Sequence, residues 1–467
     1  MILEGTLMLP SCLVALLFHE KGAALSLAVS ALLAIVLGHI VKPRKPKSKV
    51  FFAKEGFVSV ALCWIIISIF GGLPFLFSGS IANPVDAIFE SVSGFTTTGA
   101  SILSDIEALP KGILFWRSFT HWIGGMGVLV FLLTLLPLSG GSHMNLMKAE
   151  SPGPSVSRLA PKVQTTAKIL YGIYLGLTVL QILLLLLGGM PLFDALTLSF
   201  GTAGTGGFGV LNDSITSYST YCQVVITLFM ILFGINFNAY YLILFKRIRD
   251  AFSMEEVKAY LLIIAGAIAL ITINTLHLFN NVWEAIQQVS FQVASIITTT
   301  GFSTADFNQW PELSRSILVL LMFIGACAGS TGGGMKVSRI LIWMKTLRKE
   351  IAISLHPNSI KQVKMDGKSI SSEVIRSTNV YLVLYMLIFV TSILLLSLNN
   401  FDSVTNFTAV AATLNNIGPG LNQVGPTANF ALFSSFSKIV LIFDMLAGRL
   451  ELFPLLLLFN HKTWKKF

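Results

Sequence analysis

Four short segments of this chain open with an acid and end in a glycine turn. Each is semi-apolar for roughly 10–15 residues, too few to cross a hydrocarbon core about 30 Å thick. They read VDAIFESVSGFTTTGAS (Val85 to Ser101), FDALTLSFGTAGTGGFG (Phe193 to Gly209), WEAIQQVSFQVASIITTTGFS (Trp283 to Ser303) and FDSVTNFTAVAATLNNIGPG (Phe401 to Gly420). Apolar runs of membrane-spanning length flank them. A short segment in that setting reads as a re-entrant half-helix that enters and leaves on one side. Its opening acid sits at the helix N-terminus, where the macrodipole favours negative charge.

Hydrophobic residues make up 54% of the 467 positions and charged residues 12%; soluble domains average about 25% charged. The chain therefore reads as one all-α membrane domain with no separate soluble unit. Two leading helices fall at about 3–18 and 21–41, the first retained rather than cleaved. Paired spans then flank the half-helices at 56–78 and 111–137, 167–189 and 218–246, 256–277 and 314–346, and 376–399 and 430–459. The implied units are 1–50 for the leading pair, then repeats over 51–140, 141–250 and 251–350, and a linker with the fourth repeat over 351–467.

The net charge of +10 is unevenly placed. Basic residues cluster at Lys42 to Lys49, Lys246 to Arg249, Lys336 to Lys368 and His461 to Lys466, while 79–110, 190–217, 278–312 and 400–430 contain no Lys or Arg. The positive-inside rule puts the basic clusters in the cytoplasm. The acid-only stretches then face outward, where their carboxylates, Glu90 and Asp86 among them, raise the local cation concentration. This distribution excludes a nucleic-acid-binding reading.

Irregular backbone at membrane depth is tolerated where it is buried in protein or lines a wet cavity. Four such turns can surround one axis, and backbone carbonyls can replace a cation's water shell. The candidate ion-binding residues are Thr97, Thr98 and Gly99; Gly204, Thr205, Gly206 and Gly207; Thr299, Thr300 and Gly301; and Asn416, Ile417 and Gly418. No carboxylate falls within these turns, which favours an alkali ion over a tight divalent site.

These segments resemble the pore loops of the Trk/Ktr/HKT superfamily of potassium transporters, over essentially the whole chain. The resemblance implies four membrane–pore–membrane repeats arranged like a potassium channel, and the two extra leading helices point to the bacterial Trk-type membrane subunit. It also implies one filter glycine per repeat, carried over as Gly99, Gly206, Gly301 and Gly418; a gapless alignment of the first two repeats selects Gly207 instead. Sodium-preferring relatives carry Ser at the first of these positions, so Gly99 favours potassium.

The run from Ser314 to Met344 is roughly 46 Å long at 1.5 Å per residue, more than one bilayer core. Its middle, CAGSTGGGM, is a poor helix interior. The residues Gly329, Gly332, Gly333, Gly334 and Lys336 therefore read as a loop that breaks the helix, and the resemblance makes it a gate. Arg449, an ionisable residue inside the last apolar segment, faces a partner or the pathway; the resemblance places it in closing that pathway.

Other motifs carry less. GTGGFG (Gly204 to Gly209) lacks the strand–turn–helix context of a dinucleotide site, and GSTGGGMK (Gly329 to Lys336) lacks the Lys-Ser/Thr of a P-loop. His121, His143, His277 and His356 have no metal-ligand spacing. The expected function is potassium uptake across the cytoplasmic membrane, with a sodium- or proton-coupled symporter as the alternative; an enzyme finds no support. No cofactor is expected in this chain. The expected partners are potassium, membrane lipid, a second copy in a homodimer and, by the resemblance, a cytosolic Rossmann-like nucleotide-binding regulatory subunit.

Overall fold

A computed structural model describes residues 1–41, 53–125, 127, 163–358 and 361–464. The regular structure of the described residues is helical apart from one hairpin of two two-residue strands. Helices α1 (Ile2–Leu17) and α2 (Lys21–Ile40) form an antiparallel pair that leans on later elements. Among the described residues, five helices are long and apolar enough to cross a membrane, or six if one bent pair counts as a span.

One succession then occurs four times: a long helix, a short helix, a turn and a truncated helix. The first set is α3 (Ala53–Phe77), α4 (Pro84–Phe95) and α5 (Lys111–Gly125). The second is α6 (Val163–Leu187), α7 (Leu192–Gly204) and α8 (Thr220–Phe233), followed by α9 (Phe237–Leu244) and α10 (Ile248–Ser253). The third is α11 (Glu255–Thr275), α12 (Val282–Ile297) and α13 (Glu312–Ile324), followed by α14 (Val337–Leu355). The fourth is α15 (Ser372–Leu396), α16 (Ser403–Leu414) and α17 (Ser435–Arg449), followed by α18 (Phe453–Phe459).

The short helices start where side chains can satisfy the free N–H groups of a helix N-terminus. Asn83, Asn281 and Asp402 cap α4, α12 and α16, accepting from the N–H of Val85, Glu284 and Thr405 at 2.9 Å each. Asp86, Asp194 and Glu284 occupy first turns, as dipole stabilisation favours.

Two expected spans are corrected. The run 218–246 is not one helix: α8 and α9 meet at 90° across Gly234–Asn236. The run 430–459 also breaks, because α17 stops at Arg449 and the chain turns through Glu451 and Leu452 at φ 61° and 65°. The break in 314–346 falls between Ile324 and Val337. For 111–137, α5 ends at Gly125, and most of the remainder lies outside the described residues, as do the 50/51 and 140/141 boundaries, His143 and the basic run at 42–49. The four truncated helices have 15, 14, 13 and 15 residues. At 1.5 Å per residue they reach roughly 20–23 Å, short of a core about 30 Å thick.

Apolar residues flank the first break on both sides, whereas the second falls in GRLELFP, where Gly448, Arg449, Glu451 and Pro454 interrupt the apolar run. The reason for the first is tertiary. The segment between α13 and α14 fits into the α8–α9 corner: Cys327 N–H donates to the Gly234 carbonyl at 3.1 Å, and Phe237 N–H donates to the Gly329 carbonyl at 2.9 Å. Backbone groups freed by the break are thus re-satisfied by a neighbour, the condition for irregular backbone at membrane depth. The expected linker at the start of 351–467 also has structure of its own. It contains the antiparallel hairpin β1 (Lys364–Met365) and β2 (Lys368–Ser369). Asp366 accepts from the Glu255 N–H at 2.8 Å, and Lys345, paired with Glu255, donates to the Lys364 carbonyl at 2.7 Å.

Candidate ion pathway

The four turns after the short helices share one backbone conformation. In each, an i−5 hydrogen bond closes the helix: Thr98, Gly206, Thr300 and Ile417 donate their N–H to the carbonyls of Ser93, Gly201, Ser295 and Ala412 at 2.8–2.9 Å. The residue before each donor is left-handed, with φ 57° at Thr97, 55° at Thr205, 60° at Thr299 and 56° at Asn416. This is the Schellman closure, which satisfies terminal carbonyls by a left-handed residue. Two residues later stands a glycine with positive φ: Gly99 at 79°, Gly207 at 78°, Gly301 at 84° and Gly418 at 99°.

That pattern corrects the register carried over from the resemblance. Gly207, not Gly206, is the counterpart of Gly99. Gly206 is a glycine for a different reason: a side-chain carbon there would run into the imidazole of His121. The buried His121 ring also sits 2.8 Å from the Gly94 carbonyl through Nδ1, and Nε2 accepts from the Phe208 N–H at 3.3 Å.

The turns close a ring. A side-chain carbon on Gly99 would collide with the Gly206 carbonyl oxygen, one on Gly207 with that of Thr300, and one on Gly301 with that of Ile417. One on Gly418 would stand 2.9 Å from the Thr98 carbonyl, which returns the sequence to its start. Each glycine thus abuts the carbonyl preceding the glycine of the next set. A cavity of about 230 Å³ opens beside the ring and touches Gly99, Gly207, Gly301 and Gly418 alike.

Hydroxyl and amide groups brace the ring from behind. Thr96 donates to the Val92 carbonyl at 2.7 Å and lies 2.8 Å from the Thr98 hydroxyl. Thr298 repeats this with Ala294 and Thr300 at the same distances. Asn415 makes the matching bond in the fourth set, donating to the Ala411 carbonyl at 2.9 Å. Asn416 ties the fourth turn to the first, donating to the Thr98 hydroxyl and the Met445 carbonyl at 2.9 Å each.

An ion pair missed by sequence reasoning lies beside the first turn. Glu90 and Arg117 are 0% and 1% exposed and meet at 2.7 Å. Glu90 also accepts from the Ser101 hydroxyl at 2.9 Å and the Ile102 N–H at 3.0 Å. Arg117 reaches the second turn, donating to the Gly209 carbonyl at 3.0 Å with its guanidinium over the Phe208 ring. Glu90 is therefore not an outward-facing carboxylate, and Asp86 is likewise matched, by Lys438 at 2.7 Å. The corresponding residue in the third set is Gln292. With its amide oxygen turned to them, it accepts from the N–H groups of Thr304 and Ala305 at 2.9 and 3.0 Å. One signal was available: Arg117 is a cation inside an apolar run, as Arg449 is.

On the opposite side of the ring lies the loop between α13 and α14. Gly333 N–H donates to the Thr299 hydroxyl at 2.6 Å, and Gly334 N–H to the Asn415 carbonyl at 3.0 Å. Gly332 packs so closely that a side-chain carbon would lie 3.0 Å from the Thr298 carbonyl. The loop thus sits directly against the helix-proximal end of the turns. Gly329 lies at its edge in the α8–α9 corner, and buried Lys336 folds back onto the Gly332 carbonyl. Arg449 donates to the Thr331 carbonyl at 3.0 Å and to the carbonyls of Gly124 and Gly125, the latter at 2.9 Å. It therefore joins the loop to the C-terminal end of α5, a location where the helix dipole favours a cation. Arg339 pairs with Glu451 across the same region and lies over the Tyr381 ring. Among the described residues, no group of three or more His, Cys, Asp or Glu is placed to hold a metal ion.

Comparison with known proteins gives concordant matches. Residues 26–466 match the family model described as TrkH, cation transport protein. The chain is 36% identical over 474 residues to the Trk system potassium uptake protein TrkH of Salmonella typhimurium, covering 100% of this chain and 97% of that protein. It is 32% identical over 464 residues to the Trk system potassium uptake protein TrkG of Escherichia coli K12, covering 98% and 95%. The crystal structure of the potassium transporter TrkH from Vibrio parahaemolyticus superimposes with a TM-score of 0.89 at 33% identity, over 99% of this chain and 97% of that one.

Proposed function

Because the chain belongs to the TrkH family of cation transport proteins, we propose that it takes up potassium through the ring of four turns and that the loop beneath is its gate. It is a multi-pass protein of the cytoplasmic membrane. The observation that carries the reading is the closed cycle from Gly99 to Gly206, Gly207 to Thr300, Gly301 to Ile417 and Gly418 to Thr98.

In this reading the ring is the selectivity filter. Carbonyls of Thr97, Thr98, Gly99 and their counterparts in the other turns take the place of the ion's water shell. Left-handed residues and glycines allow successive carbonyls to turn toward one axis. The C-terminal ends of α4, α7, α12 and α16 add negative potential behind the turns. The absence of a carboxylate from the turns suits an alkali ion that must bind weakly enough to leave.

The loop Gly325–Lys336 then closes the pathway, since it hydrogen-bonds to Thr299 and Asn415 at the base of the ring. Arg449 holds it closed by bridging Thr331 to α5. The chain acts as a homodimer seated on a cytosolic Rossmann-like nucleotide-binding subunit, which moves the gate through α14. The test is reconstitution into vesicles with defined potassium, sodium and proton gradients at clamped voltage. Potassium and rubidium uptake that exceeds sodium uptake supports the reading; equal uptake of all three overturns it.

A further inference from the structure

One buried carboxylate outside the turns touches both shoulders of the loop. Glu256, on the first turn of α11, is 5% exposed. Its Oε1 accepts from the Ala328 N–H at 2.6 Å and from the Ser338 N–H at 3.1 Å. Its Oε2 accepts from the Asn236 side-chain amide at 3.2 Å. Ala328 precedes Gly329 and the triplet Gly332 to Gly334, and Ser338 follows them. Asn236 lies in the α8–α9 corner and caps α9, accepting from the Asn238 N–H at 2.9 Å.

The chemistry explains why a carboxylate stands there. Helix α14 begins at Val337 behind Lys336, whose ammonium cannot accept a hydrogen bond from the first-turn N–H groups. Glu256 supplies that cap from another helix, and its negative charge suits a helix N-terminus. The same oxygen draws in Ala328, so the chain leaves and returns at one point. The loop's centre is held separately, through Gly333 on Thr299 and Gly334 on Asn415.

We propose that Glu256 is a positioning residue for the gate: it pins Ala328 and Ser338 together, so that the glycines between them rest under the ring. The proposal rests on the gate reading above. Loss of the pin widens the stem of the loop and frees its centre, while the ring, braced by other residues, keeps its shape. The closed state leaks, and the ions that leak are still sorted.

The full chain is reconstituted without any second protein, and radioactive rubidium and sodium uptake are measured for wild type, Glu256→Ala, Glu256→Gln, Glu256→Asp and a deletion of Gly332 to Gly334. Glu256→Ala should raise basal rubidium uptake roughly tenfold or more, the scale expected from losing even one of the three hydrogen bonds this charged acceptor receives. The rubidium-to-sodium ratio should stay at the wild-type value. Glu256→Gln keeps one accepting oxygen but turns an amide toward donors, so its leak should fall between; it also serves if the Ala variant does not fold. Glu256→Asp, which keeps the charge, should leak less than Glu256→Ala. If the deletion leaks and the Ala and Gln variants do not, Glu256 has no such role and the gate reading survives. If the deletion does not leak, both fail. A variant that leaks with a reduced rubidium-to-sodium ratio reports damage to the ring and overturns the proposal.

Discussion

Arg449 donates to the Thr331 carbonyl at 3.0 Å and, with its other amino group, to the Gly125 carbonyl at 2.9 Å. One guanidinium thus satisfies the end of a truncated helix in the first set and the loop of the third. A planar fork with several donors suits two acceptors on different chain segments. In the proposed gate, its removal takes away the contact that ties the loop to α5.

Arg449→Ala should therefore enlarge rubidium flux. Hydrogen bonds from a charged group contribute about 1.5–3 kcal/mol each, so a rise of roughly tenfold or more is expected. Arg449→Lys should give a smaller rise, because an ammonium cannot span both acceptors equally well. Flux in proteoliposomes checks this. Wild-type flux in both Arg449→Ala and the Gly332 to Gly334 deletion would exclude the loop as the gate.

The Glu90–Arg117 pair yields a stability prediction. Removing one partner of a buried pair leaves an uncompensated charge, at a cost of about 3–5 kcal/mol. Glu90→Ala should lower the unfolding midpoint in detergent. A double replacement, Glu90→Leu with Arg117→Leu, should recover much of the loss. A double variant no more stable than Glu90→Ala would mean that the pair is not the source of the effect.

The register of the second turn is open to a separate test. Gly206 faces the His121 ring, whereas Gly207 faces the Thr300 carbonyl and has φ 78°. Ala at Gly206 should impair potassium selectivity, and His121→Ala should rescue it by making room. Ala at Gly207 should impair selectivity with no rescue from His121→Ala, since the obstacle is backbone. Rescue of both, or of neither, contradicts the assignment.

The short helices and their turns were legible because their signals are local. An acid or Asn at the start, a limited apolar run and a Thr- or Gly-rich end decide such a segment within a few residues. The broken third-set helix was legible for the same reason, since Gly332, Gly333 and Gly334 stand together. The break at Gly234–Asn236 was not, because apolar residues continue on both sides and the cause is a loop distant in sequence. The gapless alignment of the first two repeats pointed to Gly207, but the sequence could not decide it against Gly206, because the choice depends on backbone dihedrals and on His121, which belongs to another set. Glu90 looked like a surface acid because Arg117 lies outside its stretch, and nothing in the sequence beside Glu256 singles it out, because its partners Ala328 and Ser338 are distant in the chain.

A further prediction concerns regulation. Purified alone and reconstituted, the chain should show the same flux with and without adenine nucleotides or NAD, because a ligand shifts a gate only through differential affinity for its states. Gly204 to Gly209 and Gly329 to Lys336, the two glycine-rich motifs resembling nucleotide sites, are instead part of the ring and the loop. A clear nucleotide response in the absence of a second protein would overturn the need for a partner.

The central claim, that ions pass through the ring of four turns, is tested most directly by Gly99→Ser. The substitution puts a side chain where φ is 79° and where the Gly206 carbonyl already stands, so the first turn must shift and, on the proposed reading, the ring loses its fit to potassium. The measurement is sodium uptake relative to rubidium uptake in reconstituted vesicles, wild type against variant. A clear rise in relative sodium uptake is expected in a protein that still folds; an unchanged ratio in folded Gly99→Ser protein would mean that ions do not pass through this ring.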